Sequence, residues 1–248
     1  MAEPYPGPGA DLNYQRGPGS PLRYDRGCNN FAPGTNTLGT SMRALPTLPI
    51  LLITDRSQAS RPLADVVAAA LDGGCCWVSI REKDMPGQER RQLAEDILRR
   101  AEPYKARVGV HEDVKLAASL GLRGLHLPTG GKIDAARRLA DPRCLFGRSA
   151  HNAAEVAACA AAGADYATLS PIFLTRSKPG YGPAVGLEEL AGIAGEADLP
   201  IVALGGIGPE QVPPCREAGA NGIAVMGEIM RADDPRRVMQ ALVTAWEG

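Results

Sequence analysis

From Leu48 to the C-terminus the sequence repeats one pattern eight times: a short apolar run, then a stretch whose apolar residues recur with helical spacing. The runs are "PILLIT", "CCWVSIR", "RVGVH", "GLHLP", "CLFGRS", "DYATLSP", "IVALGG" and "GIAVMG". Each is followed by a helical stretch, such as "PLADVVAAALDGG" after the first and "PRRVMQALVTAWEG" after the last. Several of those stretches end in Gly, the usual helix C-terminal signal. An open doubly wound sheet shares this alternation. Eight units in about 200 residues, with no second block of different composition, favour a closed α/β fold, a single (β/α)8 TIM barrel. Aromatic residues make up only 4%, so its core must be built from Ala, Val, Leu and Ile.

Residues 1–46 break the pattern. They are rich in Pro and Gly and show no apolar period, which predicts a disordered tail ahead of a barrel over residues 47–248. A translation start at Met42 is the alternative explanation of that segment. The formal net charge of −1 gives no electrostatic reason to expect nucleic acid. No run is long enough for a membrane helix and no basic-then-apolar leader opens the chain, so a cytoplasmic location is expected. The six cysteines have no metal-knuckle spacing and read as small buried hydrophobes.

In a barrel of this kind chemistry gathers on the loops that follow the strands. Here those loops carry Arg81 and Lys83 after strand 2, His111 and Glu112 after strand 3, His126 after strand 4, and Ser149 with His151 after strand 5. Strand 6 runs into the long loop "IFLTRSKPGYGPAVG" with Thr175, Arg176 and Lys178, which resembles a lid. Gly205-Gly206 and Met226-Gly227 close strands 7 and 8. Glycine turns that open helices at adjacent strand ends suit a phosphate; tight turns alone would also account for them. Arg81 and Lys83 suit a second anion, or a rim ion pair with Glu82 or Asp84. The three histidines invite a zinc reading, yet their spacing follows the strand repeat and no companion carboxylate stands out.

The motifs "LLITDR", "SIREKD", "VHEDVKLAASLGLRGLHLP", "GRSAH", "AGADYATLSPIFLTRSKPGYGPAVGL", "PIVALGGI" and "AGANGIAVMGEI" occur in order over residues 48–247. In this the chain resembles the thiamine phosphate synthase/TenI family. The resemblance implies a compact barrel, often a homodimer, that binds a thiazole phosphate in thiamin biosynthesis. It also implies one of two reactions. A synthase couples a pyrimidine methyl diphosphate to the thiazole phosphate with Mg²⁺; a thiazole tautomerase moves a proton without a metal.

Carried over by motif, Arg81, Lys178 and His151 take catalytic places, and Lys83, Ser149, Thr175, Gly205, Gly206, Met226 and Gly227 bind substrate. Glu112 would be the metal ligand of the synthase. Ser79 and His111 stand where the synthase pattern has Gln and Asn, and Gly131 stands where it has a second metal-binding Asp. "HLPTGG" and "GRSAH" are closer to the tautomerase branch. An imidazole, with a reference pKa of ~6.5, suits the proton shift. The motifs therefore place tautomerisation by His151 ahead of coupling. A non-catalytic barrel that binds the phosphate ligand as a regulator is the third reading.

Overall fold

The computed structural model describes Gly34–Thr35, residues 41–175 and residues 182–248. Eight parallel strands close into a barrel: β1 (Ile50–Ile53), β2 (Trp77–Ile80), β3 (Arg107–His111), β4 (Gly124–Leu127), β5 (Leu145–Ala150), β6 (Tyr166–Leu169), β7 (Ile201–Leu204) and β8 (Gly222–Val225). Each pairs with its sequence neighbours, and β8 pairs with both β7 and β1. Helices α1 (Leu63–Asp72), α2 (Gly87–Ala101), α3 (Val114–Leu120), α4 (Ile133–Arg137), α5 (Ala153–Ala161), α6 (Gly186–Glu196) and α7 (Val212–Glu217) follow the first seven strands. The last unit splits into α8 (Gly227–Met230) and α9 (Pro235–Glu247). Among the described residues no helix is long and apolar enough to cross a membrane.

Helix amphipathicity builds the outer core. In α1 the buried residues Leu63, Val66, Val67, Ala70 and Leu71 recur at helical spacing and turn one face to the sheet. Three helices are capped by the residue their sequence supplies. Asp113 accepts the Leu116 N–H at 2.9 Å, Asn152 the Glu155 N–H at 3.0 Å, and Asp234 the Arg237 N–H at 3.0 Å. The stretch after β7, expected as one helix, is a 3₁₀ turn (Pro209–Gln211) followed by α7. Pro213 and Pro214 fall in the first turn of α7, where a missing N–H costs no intrahelical bond.

Inside the barrel the packing is uneven. Trp77 and Tyr166 meet edge to face, with ring centroids 5.0 Å apart. Tyr166 has room because Gly147 presents no side chain to it. A Cβ on Gly147 would lie 2.0 Å from Tyr166 Cζ, and one on Gly109 would lie 2.6 Å from the Gly124 backbone. The Tyr166 ring thus occupies space that Gly147 vacates, while Gly109 and Gly124 let β3 and β4 pack closely.

The expectation of disorder for residues 1–46 lies largely outside the described residues. Within that span Gly34–Thr35 pair antiparallel with Ser41–Met42. Arg43 is also tied down: its N–H donates to the Asp165 carboxylate at 3.2 Å, and its guanidinium donates to the Pro142 carbonyl at 2.6 Å. Leu45 packs against the inner barrel cluster. These contacts lie on the amino-terminal side of the boundary placed at residue 46. Isolated anchors of this kind leave no periodic signal. The five described cysteines are all buried, and burial pushes the thiols of Cys144, Cys159 and Cys215 up.

Candidate functional site

A cavity of about 900 Å³ opens at the carboxyl ends of the strands. From the β2–β5 side it is lined by Arg81, Lys83, Glu112, Ser149 and His151; from the β6–β8 side by Thr175, Gly205, Gly206, Met226 and Gly227. Every residue that the sequence proposes for the site lines this space except Lys178, which, like Arg176, lies outside the described residues. His111 and His126 reach it from below.

The β1–β2 rim is fixed by a buried carboxylate. Glu82, 2% exposed, accepts from Thr54 Oγ1 at 2.7 Å, from the Arg56 N–H at 3.2 Å and from the Arg56 guanidinium at 3.1 Å. Thr54 Oγ1 in turn accepts the Arg81 N–H at 2.9 Å. Arg56 also takes Asp84, at 2.8 Å. The rim pairing of Arg81 or Lys83 with Glu82 or Asp84, the alternative to an anion site, does not form among the described residues: both acids pair with Arg56. Arg81 makes no ion pair among the described residues, and it lines the cavity. Lys83 bonds to Glu112 on the neighbouring β3 loop. The sequence showed Arg56 as part of a strand-end motif but gave no sign that it would take both acids.

On the far side, Gly205 (φ 106°) and Gly206 (φ 67°) lie in the left-handed region and press on the loop after β6. A Cβ on Gly205 would approach Pro171 Cα to 2.9 Å, and one on Gly206 the Leu174 carbonyl oxygen to 2.7 Å. Backbone bonds from Ile172 to Leu204 and from Phe173 to Gly205, at 2.9 and 3.0 Å, lock the two loops together. Glycine is required here by that close approach as well as by the turn. Its consequence is to carry Thr175 to the edge of the same cavity. Gly227 heads α8, and the first N–H groups of a helix have no partner within it.

His126 is buried beneath the cavity. Its Nδ1 lies 3.2 Å from Tyr166 Oη, and its Nε2 lies 3.0 Å from Ser149 Oγ and 3.3 Å from Thr168 Oγ1. Burial, with Lys83 and Arg81 adding to it, pushes its pKa down to about 3, so the ring is neutral. His111 stacks on it with centroids 4.6 Å apart. His151 is partly exposed; its Nδ1 and its backbone N–H both lie 2.8 Å from Glu155 Oε2. Glu155 was missed from the sequence, although four residues along a helix start is the spacing at which such a contact forms. Tyr166 was missed too; its place on the inner face of β6, two residues before Thr168, was the available signal.

Among the described residues no group of three His, Cys, Asp or Glu side chains converges to hold a metal ion, so the zinc reading of the histidines has no ligand set. The residues also fit the expected Mg²⁺ site poorly. Glu112 is engaged by Lys83, and Asp113 caps α3 while pairing with Arg90 at 3.0 Å. At Gly131 a Cβ would stand 2.7 Å from Leu127 Cβ, so an acid there needs the backbone to shift.

Fold and site together define a (β/α)8 barrel whose mouth gathers Arg81, Lys83 and the glycine turns after β7 and β8 around one cavity. Residues 50–229 match the family model described as thiamine monophosphate synthase, TMP-TENI, and the chain belongs to that family of thiamine-biosynthesis enzymes. A Geobacter sulfurreducens relative is 39% identical over 196 residues, covering 78% of this chain and 92% of its own. The thiamine-phosphate synthase of Geobacillus thermodenitrificans is 35% identical over 212 residues, covering 83% and 95%. Among solved structures, the thiamine phosphate pyrophosphorylase of Pyrococcus furiosus superposes with a TM-score of 0.73 at 28% identity, covering 81% of this chain and 96% of that one.

Proposed function

We propose that this enzyme couples a pyrimidine methyl diphosphate to a thiazole phosphate, the reaction that the sequence motifs placed second. The relatives' names support this order. The observation that carries it is Arg81: a cation in the cavity with no ion pair among the described residues, two strands from β8 and three from β7, whose glycine turns form a separate anion cradle. Two anion sites in one space of about 900 Å³ match two phosphorylated substrates.

In this reading the backbone N–H groups around Gly206 and Gly227 hold the thiazole phosphate. Arg81 binds the diphosphate, and Lys83 reaches it by exchanging Glu112 for the anion. The bond between the methylene carbon and the diphosphate oxygen breaks, and its electron pair leaves with the diphosphate. The thiazole nitrogen then donates its lone pair to that carbon. Arg81 and Lys83 stabilise charge growing on the leaving group, where such stabilisation accelerates most. Thr175, which lines the cavity, contacts substrate, and Lys178 keeps the catalytic role that its motif implies.

His151 favours a second reading. An imidazole oriented by a carboxylate and facing the cavity is suited to the proton shift of a thiazole tautomerase, for which Glu155 would fix the ring. Two assays on the purified chain separate the readings. Formation of thiamine phosphate from the two halves, lost in Arg81→Ala, supports coupling. Isomerisation of a carboxylated thiazole phosphate, without coupling, overturns it in favour of the second.

A further inference from the structure

Below the cavity a chain of three polar groups, Tyr166, His126 and Ser149, runs from the barrel floor to the ligand space. We propose that Tyr166 is a positioning residue that holds His126 in its Nε2–H form and thereby makes Ser149 a hydrogen-bond donor to the ligand. The contacts do not themselves place protons; counting donors and acceptors does.

Tyr166 Oη has one polar partner among the described residues, His126 Nδ1 at 3.2 Å. The phenol is fully enclosed, 2% exposed, and burial pushes its pKa well up, so it keeps its proton. If Nδ1 carried hydrogen, the phenol proton would have no acceptor. Of the two buried hydroxyls on this ring, Tyr166 and Thr168, the phenol is the stronger donor and its loss costs more. Tyr166 therefore donates to Nδ1, and Nε2 carries the ring proton. That proton goes to Ser149 Oγ at 3.0 Å, with Thr168 Oγ1 at 3.3 Å as the weaker branch. With its oxygen engaged by His126, Ser149 directs its own hydrogen into the cavity that it lines.

The ligand atom facing Ser149 must then be an acceptor. Resting on the coupling reading, this selects a ring nitrogen of the heterocycle and disfavours an analogue with N–H at that position, because two donors would meet there. The glycine at 147 serves this arrangement, since only without a Cβ can the Tyr166 ring lie where its hydroxyl meets Nδ1.

The decisive measurement uses the ligand-free full chain labelled with ¹⁵N. Long-range ¹H–¹⁵N spectra report the tautomer of each histidine, with His126 assigned by comparison with His111→Gln and His151→Gln. The expected result is His126 protonated at Nε2 and bare at Nδ1. In Tyr166→Phe, which keeps the ring over Gly147, the population moves toward Nδ1–H, because Ser149 and Thr168 can then donate to Nε2. A wild-type ring protonated at Nδ1, or a Tyr166→Phe ring whose Nε2–H share exceeds that of the wild type, overturns the proposal. Neither result depends on which reaction the enzyme performs.

A second arm tests the consequence for binding. Tyr166→Phe and Ser149→Ala should each raise KM for the pyrimidine diphosphate by between about threefold and tenfold, with little change in kcat. The double variant should lose no more than Ser149→Ala alone. Fully additive losses would show that Tyr166 acts elsewhere. An enzyme that couples nothing yet shows the expected tautomers would reject the coupling reading and leave the positioning role standing.

Discussion

Lys83 and Glu112 form an ion pair between the β2 and β3 rims, with side chains 48% and 41% exposed. An exposed pair of this kind contributes at most about 1 kcal/mol to stability, so its partners are available for exchange. If Glu112 restrains Lys83, Glu112→Gln should bind inorganic diphosphate as tightly as the wild type or more tightly. Isothermal titration without added metal reads this directly. Weaker binding in Glu112→Gln would mean that the carboxylate itself serves the anion site.

Glu82 should matter to folding far more than Glu112. It is buried and accepts from Thr54 and Arg56 at once, so Glu82→Ala leaves the Thr54 hydroxyl and the Arg56 N–H without their acceptor. A loss of about 2–4 kcal/mol is expected, measured as a shift in the urea midpoint. A change under about 0.5 kcal/mol would mean that the rim does not depend on it.

His126 makes stability depend on pH. Its pKa in the folded protein is pushed down to about 3, first by burial and then by Lys83 and Arg81, whereas an unfolded imidazole titrates near ~6.5. Below ~6.5 the unfolded chain binds a proton that the folded chain refuses, so this contribution is complete above that value and is lost as pH falls toward 3. The slope is about 1.4 kcal/mol per pH unit. Urea midpoints for the wild type and His126→Asn, compared at about pH 7.5 and about pH 5, should converge in their pH dependence only if another group dominates.

Gly206→Ala introduces a Cβ 2.7 Å from the Leu174 carbonyl at a positive φ. The loops after β6 and β7 must part, so KM for the thiazole phosphate should rise by at least tenfold while the fold survives. Steady-state kinetics with the diphosphate substrate saturating isolates that term. An unchanged KM would detach this turn from the phosphate.

His151→Ala divides the two reactions. Under the coupling reading kcat stays within about threefold of wild type. Under the tautomerase reading it falls by roughly 10²–10⁴, the usual contribution of a general acid–base group. The same variant, assayed on both substrates, therefore reports which chemistry the cavity performs.

The barrel was legible because strand–helix repetition is a property of the chain, visible in each run from "PILLIT" to "GIAVMG". Arg81 and the glycine turns were legible because strand ends in this architecture point to one rim. The order of the two reactions was not. It was drawn from short motifs around Gly131 and His151, and family membership together with the relatives' names now weighs the other way. The partners were also hidden. Arg56 captures Glu82 and Asp84 from a different strand, and Tyr166 meets His126 from 40 residues away. Such contacts depend on barrel closure and register, which no local pattern encodes.

Arg43 grips Pro142 and Asp165 just ahead of β5 and β6, at the end of the barrel remote from the cavity. A label attached just after that clasp, for instance on a cysteine placed at the exposed Thr47, sits ahead of β1 on the face opposite the cavity. Tethering through that position should therefore leave turnover intact, and it is the face from which to hold the enzyme for binding measurements.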